Sequence, residues 1–342
     1  MPDHDFVNLL RFRRLVGAFR GLLVAATAVP FVLVLGLGYL AGAPCRACAA
    51  DGAGAARVDH VLIVGIDGMT LRATGAGITP NIAALAARGA VATDASAVPP
   101  TWSAPNWATL LMGAGPTDHG IDGNGWRPRD WRGARHCGRP EGAGWPTLFH
   151  LLKEQRPGLR SAVFHHWVGI LRFIPAGVAD TRLFTFTAGR TVRLAARHLR
   201  RERPALAFVQ LDQVDAAGHD YGYDSPEYMQ AVAQADSQLG TLLQALRDGG
   251  IAERTLVLAM SDHGGVDAHH LAEVPEVRQI AWVLSGPGVP PGTVLDDPVS
   301  IADTAPTLAW ALGLERPTCW TGRPVTEAFG VATPDGTLGA GR

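Results

Sequence analysis

The chain has 342 residues, of which 47% are hydrophobic, and a formal net charge of -1. This length predicts one large domain or two small ones, and the hydrophobic fraction is ample for a buried core. A charge balance so close to neutral argues against a nucleic-acid-binding protein and against an acidic tail.

The amino-terminal segment is first basic and then apolar. Residues 1–20 carry four arginines against two aspartates, and no charged residue occurs from Gly21 to Ala43. As a helix, residues 21–43 would span about 35 Å, enough to cross the ~30 Å hydrocarbon core of a bilayer. We therefore predict a cytoplasmic basic segment at 1–20 and a transmembrane anchor at 21–43, with the remaining chain outside the cytoplasm.

A cleaved signal peptide is the main alternative, because AGAPCRACAADGAGAA supplies small residues suited to processing. The apolar run is long for a signal peptide, which favours the anchor, and a buried helix of the folded body is the least favoured interpretation. The small and polar residues 44–57 predict a tether. In an oxidising compartment Cys137 and Cys319 could form a disulfide, although the sequence does not fix the pairing.

Alternating strand and helix patterns follow in the body of the chain. Apolar runs predict buried strands in DHVLIVGID, which ends at Asp67, and at Ser161–Phe164, Leu206–Leu211, Thr255–Met260 and Ala281–Ser285. Helices are predicted in TPNIAALAARG, where Thr79 caps, Pro80 opens and Gly89 closes the helix, and at Thr187–Arg200, Ser225–Arg247 and Asp303–Leu312. This order indicates an α/β fold with a mostly parallel sheet covered on both faces.

Six Asp and His residues form three short clusters beside these strands. They are Asp67 in VLIVGIDGM, Asp215 and His219 in DQVDAAGH, and Asp262, His263 and His270 in AMSDHGGVDAHH. Ligand sites in such sheets lie beyond the carboxyl ends of the strands, so we expect all three clusters to meet at one edge. Carboxylates and imidazoles together suit two zinc ions, which can clamp the attacking and leaving oxygens of a phosphoryl transfer.

Ser103 lies between the first two clusters, in PPTWSAPNWATLLMG. Its position before Ala104-Pro105 predicts a helix N-cap with proline in the first turn. The amino terminus of a helix also offers free amide groups and positive dipole to a phosphate. A hydroxyl at that point can serve as a nucleophile when a metal ion activates it.

The ordered motifs resemble those of the type I phosphodiesterase and nucleotide pyrophosphatase family, within the alkaline phosphatase superfamily. They are DGM, TPNIAALAARG, PTWSAPNW, GPTDHGIDGN, D-x-x-G-H, SDHGG, GPGVPPG and DTAPTLAWALGL, and they span about residues 58–330. The resemblance implies an alkaline-phosphatase-like three-layer α/β/α sandwich. It makes 58–330 a catalytic phosphodiesterase domain, with 331–342 as a carboxy-terminal tail.

The resemblance also implies roles for the clustered residues. One metal would be bound by Asp67, Asp262, His263 and Ser103, and the other by Asp215, His219 and a later histidine. The family position for that histidine is His270, although Leu271 replaces the usual glycine and His269 stands beside it; we favour His270. Asp212 is a weaker candidate than Asp215, because the i, i+4 relation to His219 lets Asp215 share one ion with it.

The motif HGIDGN implies two further roles. Asn124, its last residue, would donate its side-chain amide to a non-bridging phosphate oxygen. A turn residue in a glycine-rich loop is the alternative for Asn124. His119 is expected to shape this loop rather than to bind metal.

Departures from related families bear on the reaction. Ser103 stands where the nucleotide pyrophosphatases usually have threonine, and the absence of C-x-P-x-R argues against a sulfatase with a modified cysteine. No arginine follows Ser103 directly, in contrast to phosphomonoesterases that resemble bacterial alkaline phosphatase. A dianionic monoester would lack that bidentate partner, which favours a diester.

We therefore predict a hydrolase that cleaves phosphate diesters through a phosphoseryl intermediate at a centre of two divalent ions, zinc with manganese as the alternative. A phosphomonoesterase, phosphonate hydrolase or phosphotransferase using the same site is the closest rival. A rival of another class is an inactive, membrane-tethered binding module. The expected substrate is a phosphate-ester small molecule or a lipid-linked phosphoester, with residues 126–145 and 164–186 at the pocket rim. The sequence names neither the substrate nor the oligomeric state.

Overall fold

A computed structural model of the protein describes residues 58–75, 77–131, 137–140, 143–272 and 274–331. The basic segment, the anchor or signal peptide and the tether predicted at 1–57 lie outside these residues, as do residues 332–342 of the predicted tail. Among the described helices, none is both long enough and apolar enough to cross a membrane. The predictions for residues 1–57 therefore stay predictions.

An eight-stranded sheet forms the centre of the fold. Its strands are β1 (His60–Ile66), β2 (Ala90–Ala92), β4 (Ser161–His165), β5 (Thr181–Phe184), β6 (Leu206–Leu211), β7 (Thr255–Met260), β8 (Trp282–Ser285) and β9 (Thr293–Leu295). They are arranged in the order β5-β4-β6-β1-β7-β8-β2-β9. Only β8 runs antiparallel to its neighbours in this sheet. The mostly parallel sheet predicted from the sequence is thus confirmed.

Helices cover both faces of the sheet. They are α1 (Pro80–Ala87), α2 (Ser103–Met112), α3 (Pro116–His119), α4 (Leu148–Gln155), α5 (Ala188–Glu202), α6 (Gln213–Tyr221), α7 (Pro226–Asp248), α8 (Pro275–Arg278) and α9 (Thr304–Ala311). The apolar sides of α2, α4 and α9 belong to one buried cluster, and those of α1, α5 and α7 to a second. In β1, Val61 and Ile63 belong to the first cluster while Leu62 and Val64 belong to the second. The fold therefore has three layers with the sheet in the middle.

The predicted elements agree with the structure to within one or two residues. The strands at 206–211 and 255–260 have the predicted bounds, and the helix caps Thr187 and Ser225 each accept a backbone N–H in the first turn. Gly89 follows α1, as predicted, but a side chain there would lie 2.1 Å from the Leu284 carbonyl oxygen. Its role is therefore to let β8 pass close by.

Several shorter elements were not predicted. They include β2, β5, β9, the paired strands β3 (Ala95–Ser96) and β10 (Val299–Ser300), and helices α3, α4, α6 and α8. A disulfide joins Cys137 to Cys319, with 5.5 Å between their Cα atoms. It fixes the segment after residue 136 to the loop after α9.

Strand register aligns the carboxyl ends of the three central strands. Ile66 of β1 pairs with Leu211 of β6, and Gly65 pairs with Met260 of β7. The residues that follow these strands consequently emerge at one edge of the sheet, where ligand sites of parallel sheets are found.

Candidate metal centre and nucleophile

The sheet edge gathers the six predicted ligands into two groups. The inner group comprises Asp67, Asp262 and His263, which are all buried, and the outer group comprises Asp215, His219 and His270. Within each group one ligand atom of every residue lies within 4.8 Å of the others. The His263 and His270 rings stack with their centroids 3.9 Å apart, so the two groups are in contact.

Neighbouring donors fix the inner carboxylates. Trp107 Nε1 and Gln210 Nε2 each donate to Asp67 Oδ2 at 2.9 Å, and the backbone amide of Gly68 donates to Asp262 Oδ1 at 3.2 Å. Asp67 Oδ1 and Asp262 Oδ2 face His263 Nε2 at 3.5 and 3.4 Å. One oxygen of each carboxylate is thereby held by the scaffold, while the other points toward the shared space.

The outer group is built on α6 and on the loop that follows β7. Asp215 and His219 lie one helical turn apart on α6, with Asp215 Oδ2 3.4 Å from His219 Nε2. The Tyr223 hydroxyl donates to the other oxygen, Asp215 Oδ1. His270 comes from the loop, and its backbone carbonyl accepts a hydrogen bond from Thr101 Oγ1 at 2.5 Å. As in the inner group, one carboxylate oxygen is held and one faces an imidazole.

All three histidines orient their rings in the same way. Nδ1 of His219, His263 and His270 faces the backbone carbonyl of Ala268, Gly264 and Thr101 at 2.9, 2.9 and 2.6 Å. A carbonyl accepts only, so each Nδ1 must carry a proton, and a neutral ring then has its lone pair on Nε2. Nε2 is therefore the atom that can bind a metal ion, as in metal-binding histidines whose other ring nitrogen donates a hydrogen bond to a neighbouring group.

Electrostatics at the inner group are unfavourable without a cation. Burial raises the pKa of Asp67 well above its usual range, and the charges of Asp262 and Asp215 add to the effect. Burial and the charge of Asp215 likewise raise the pKa of Asp262. Burial lowers the pKa of His263, so its ring is neutral and does not balance the carboxylates.

The outer group is partly balanced by its own histidine. A hydrogen bond to Asp215 raises the pKa of His219 to about 9. Burial opposes ionisation of Asp215, but the hydrogen bond to His219 and the charge of that ring outweigh it and lower the Asp215 pKa. Burial, and then His263, lower the pKa of His270 to about 3. A bound cation would take the place of the His219 proton.

These residues fit divalent cations. Asp262 Oδ2 is buried and has no hydrogen-bond partner in the described structure, a costly state unless an ion takes the oxygen. Three carboxylates and three imidazoles form a mixed O/N donor set, which suits zinc and also manganese. His269 is exposed and Asp212 belongs to neither group, so the preference for His270 and Asp215 as ligands stays a prediction that this grouping favours.

Ser103 lies at the inner group, although not as the predicted N-cap. The N-cap of α2 is Trp102, and Ser103 is the first helical residue, 5% exposed. Its Oγ donates toward Asp67 Oδ1 at 3.5 Å and lies 3.4 Å from His263 Nε2. A side chain at the first position points away from the helix amides, so the hydroxyl turns to the inner group instead of capping.

The loop before Ser103 is held by Asn106, a motif residue for which no role was predicted. Its side-chain amide donates to the carbonyls of Val98, Pro100 and Trp102, each at 3.1 Å, and its oxygen accepts from the Val98 amide at 2.8 Å. This network ties the turn to α2 and thereby positions Ser103.

Asn124 lies beside Ser103. Its Oδ1 accepts a hydrogen bond from the Ala104 amide at 2.8 Å, which identifies that atom as oxygen and leaves the side-chain NH2 as a donor. Arg172 donates to the backbone carbonyl of Asn124. His119 is buried in the same loop, with Nε2 3.0 Å from Thr109 Oγ1 and Nδ1 accepting from the Ile121 amide. His119 therefore shapes the loop, as predicted.

Three supporting residues were not predicted. Trp107 is four residues after Ser103 and so lies on the same side of α2, a spacing that could have indicated it. Gln210 is a polar residue inside an apolar strand run, which is also a usable signal. No sequence signal indicates Tyr223, because its contact with Asp215 depends on the turn between α6 and α7.

The sequence profile of the type I phosphodiesterase / nucleotide pyrophosphatase family matches residues 61–284. The matched region contains both ligand groups, Ser103 and Asn124. The chain belongs to this family, and its fold is alkaline-phosphatase-like.

Curated and solved proteins agree with this assignment. An uncharacterized pyrophosphatase/phosphodiesterase of Schizosaccharomyces pombe is 27% identical over 216 residues, which are 60% of this chain and 44% of that protein. The chain spans less than half the length of the curated relatives that it matches.

Two solved structures share the fold. Murine ectonucleotide pyrophosphatase/phosphodiesterase 5, solved as an inactive variant in complex with AMP, superposes with a TM-score of 0.60 at 17% identity, over 75% of this chain and 96% of the murine chain. A phosphonate monoester hydrolase of Silicibacter pomeroyi gives a TM-score of 0.61 at 15% identity, over 81% of this chain and 78% of that chain.

Proposed function

We propose that this protein hydrolyses phosphate diesters at a centre of two divalent cations, with Ser103 as the nucleophile. Asp67, Asp262 and His263 would hold one ion beside Ser103, and Asp215, His219 and His270 would hold the other. Zinc is the favoured metal on the donor set, with manganese as the alternative. The AMP complex of the murine relative supports a nucleotide-like ester as one substrate class.

The histidine orientation is the observation that carries the proposal. Three Nδ1 atoms donate to backbone carbonyls, which leaves Nε2 of each ring available to a metal ion. In the inner group the neutral His263 presents its Nε2 lone pair to two carboxylate oxygens at 3.4–3.5 Å, which is repulsive unless a cation lies between them. In the outer group a cation would take the place of the proton that His219 shares with Asp215.

The chain's own groups then define the reaction. Ser103 Oγ would attack phosphorus and displace the first alcohol, and water would later cleave the Oγ–P bond to release a monoester and restore the hydroxyl. The Asn124 NH2 would donate to a non-bridging oxygen as charge develops there. Bound cations would lower the pKa of the Ser103 hydroxyl and neutralise charge on the phosphate oxygens.

Metal analysis tests the centre itself. We expect the purified protein to carry about two equivalents of zinc or manganese, and chelators to abolish the hydrolysis of a nitrophenyl diester. Returning the metal should restore activity. A protein free of transition metal, with activity that chelators do not affect, would exclude the proposed centre.

A substrate panel tests the preference for diesters. Nitrophenyl esters of a phosphodiester, a phosphomonoester, a phosphonate and a sulfate should be compared under one set of conditions. We expect the diester to give the highest kcat/KM, because no arginine follows Ser103 to pair with a dianion. A higher kcat/KM for the monoester or phosphonate would change the proposed substrate class but would leave the proposed metal centre unaffected.

We also infer that the catalytic body lies outside the cytoplasm, anchored through residues 21–43 or released after cleavage. The Cys137–Cys319 disulfide supports an oxidising compartment. Reporter fusions after Arg342 should show extracytoplasmic phosphatase activity and no cytoplasmic fluorescence. Sequencing the mature amino terminus then separates the two forms, since cleavage near Ala49–Ala50 gives a released enzyme.

A further inference from the structure

Helix α5 carries an exposed row of arginines that the catalytic proposal does not use. We name this row the arginine stripe: Arg190, Arg193, Arg197, Arg200 and Arg201, all exposed. Their spacing of three or four residues places them on one face of the helix, over about 16 Å. Five exposed arginines on one helix face form a strongly basic surface on a protein whose formal net charge is -1.

The stripe is not neutralised by its surroundings. None of the five arginine side chains makes a hydrogen bond or ion pair with any residue that the structure describes. The one acidic residue of α5, Glu202, pairs instead with Arg160 at 3.5 Å. The neighbouring helix α7 presents mostly neutral side chains to solvent, among them Gln230, Gln234, Ser237, Thr241 and Gln244.

The opposite face of α5 holds the helix firmly on the sheet. Thr191, Val192, Ala195, Ala196 and Leu199 are buried in that face. The helix therefore has no apolar surface to insert into a bilayer. It can bind a surface only through the charge of its outer face.

The stripe ends where the first described residues of the body begin. Arg203, just after α5, borders the same surface depression as Val58 and Asp59. His60 Nδ1 lies 2.9 Å from the Pro204 carbonyl oxygen. The chain from the predicted membrane segment at 21–43 thus joins the body beside the basic end of α5, at the edge of the sheet opposite the metal centre.

We propose that the arginine stripe docks the body on an anionic phospholipid surface. Arginine near a negatively charged leaflet is attracted within a Debye length of about 10 Å, and a body joined to the membrane at this end would be held at high local concentration beside that leaflet. This proposal does not depend on the identity of the substrate.

Arginine footprinting on the full chain tests the docking. The protein is placed in lipid nanodiscs, either purely zwitterionic or containing phosphatidylglycerol, and labelled with phenylglyoxal before mass spectrometry. We expect labelling of the stripe to fall several-fold in anionic discs and to recover in high salt, which shortens the Debye length to about 3 Å at 1 M. Exposed Arg88 and Arg278 should label equally in both discs.

Charge-matched variants distinguish the effect of the arginine stripe from the effect of the protein's net charge. In Arg190→Gln/Arg193→Gln/Arg197→Gln, the remaining Arg200 and Arg201 should lose their protection in anionic discs. In the control Arg88→Gln/Arg129→Gln/Arg278→Gln, which loses the same charge elsewhere, they should keep it. Loss of protection in both variants would overturn the proposal.

Other outcomes are equally decisive. A chain recovered with its first residues cleaved is floated with vesicles of the same lipids, and binding to the anionic vesicles alone supports the proposal. Equal labelling of the stripe in both kinds of disc, or flotation independent of lipid charge, would overturn it. Protection by duplex DNA but not by anionic lipid would assign the stripe to nucleic acid and likewise overturn it.

Discussion

The two ligand groups differ in what holds them. The inner group follows the ends of β1 and β7, is fully buried, and has one oxygen of each carboxylate fixed by scaffold donors. The outer group lies on α6 and a loop, and 42% of the His219 side chain is exposed. Its Asp215 is held by a single tyrosine hydroxyl.

This difference predicts a rigid inner group and an outer group whose ion can exchange. A ligand set built on strand ends is held in place by the sheet, whereas a helix and loop can move with modest loss of contact. We expect the inner group to bind its ion tightly and to position Ser103, and the outer group to bind more weakly and to exchange. Five substitutions test this contrast.

Ser103→Ala should have the largest effect. Because Ser103 Oγ contacts the inner group and is the proposed nucleophile, we expect diester turnover to fall on the order of 10⁴-fold or more. Both metal equivalents should remain, since six other ligands are intact. Activity close to wild type would show that Ser103 is not the nucleophile.

Removing one histidine from each group should give unequal losses. His263→Ala should lose the inner ion and almost all activity, because the ring is buried between two carboxylates. His219→Ala should lose only the outer equivalent and regain part of its activity in excess zinc. His269→Ala, at an exposed position beside His270, serves as the control, and elemental analysis gives the metal content. Equal metal loss in the two ligand variants would contradict the contrast between the groups.

Asn124→Ala should lower kcat without affecting either ion. Loss of one amide donor to developing phosphate charge typically costs about 10²–10³-fold. Asp122→Asn, an exposed change in the same loop, should leave kcat unchanged. Should the metal content fall together with kcat in Asn124→Ala, the residue acts through the fold rather than on the phosphate.

Tyr223→Phe should have the smallest effect, confined to the outer ion. The change removes only the hydroxyl that donates to Asp215, and losing such an outer hydrogen bond weakens metal binding by about 10–100-fold. Zinc titration against a chelator measures the affinity, and saturating zinc should restore activity. Tyr228→Phe is the matched control, because its hydroxyl donates to the Gly68 carbonyl rather than to a ligand. An unchanged zinc affinity in Tyr223→Phe would show that the Tyr223 hydroxyl does not support metal binding.

The central fold could be predicted because its strands are buried on both faces. Runs such as LAFVQL and TLVLAM are apolar almost throughout, which marks a strand in the middle of a parallel sheet. Strands β3 and β10 have two residues each, too few for any period to appear. Helix α6 also lacked an apolar pattern, because its sequence QVDAAGHDY is occupied by ligands and small residues.

The grouping of the candidate ligands could be predicted because Asp67 and Asp262–His263 directly follow strand ends and Asp215 comes four residues after one. Trp107 and Gln210 were missed although each has a local signal, because their contacts with Asp67 join residues 40 and 143 positions apart and no local pattern names the partner. The N-cap prediction for Ser103 was wrong by one residue, and that residue decides where the hydroxyl points. The Asn106 network sets this boundary, and its partners are backbone carbonyls that a sequence pattern does not display.

Gly68 has a consequence for the spacing of the two ligand groups. It has a φ of +66°, its amide donates to Asp262, and a methyl group at its Cα would lie 2.6 Å from Asp215 Oδ1. The two groups therefore meet at a residue without a Cβ atom, which lets Asp215 lie against the backbone that holds Asp262. Any larger side chain at this position would displace Asp215 and move the outer group away from the inner one.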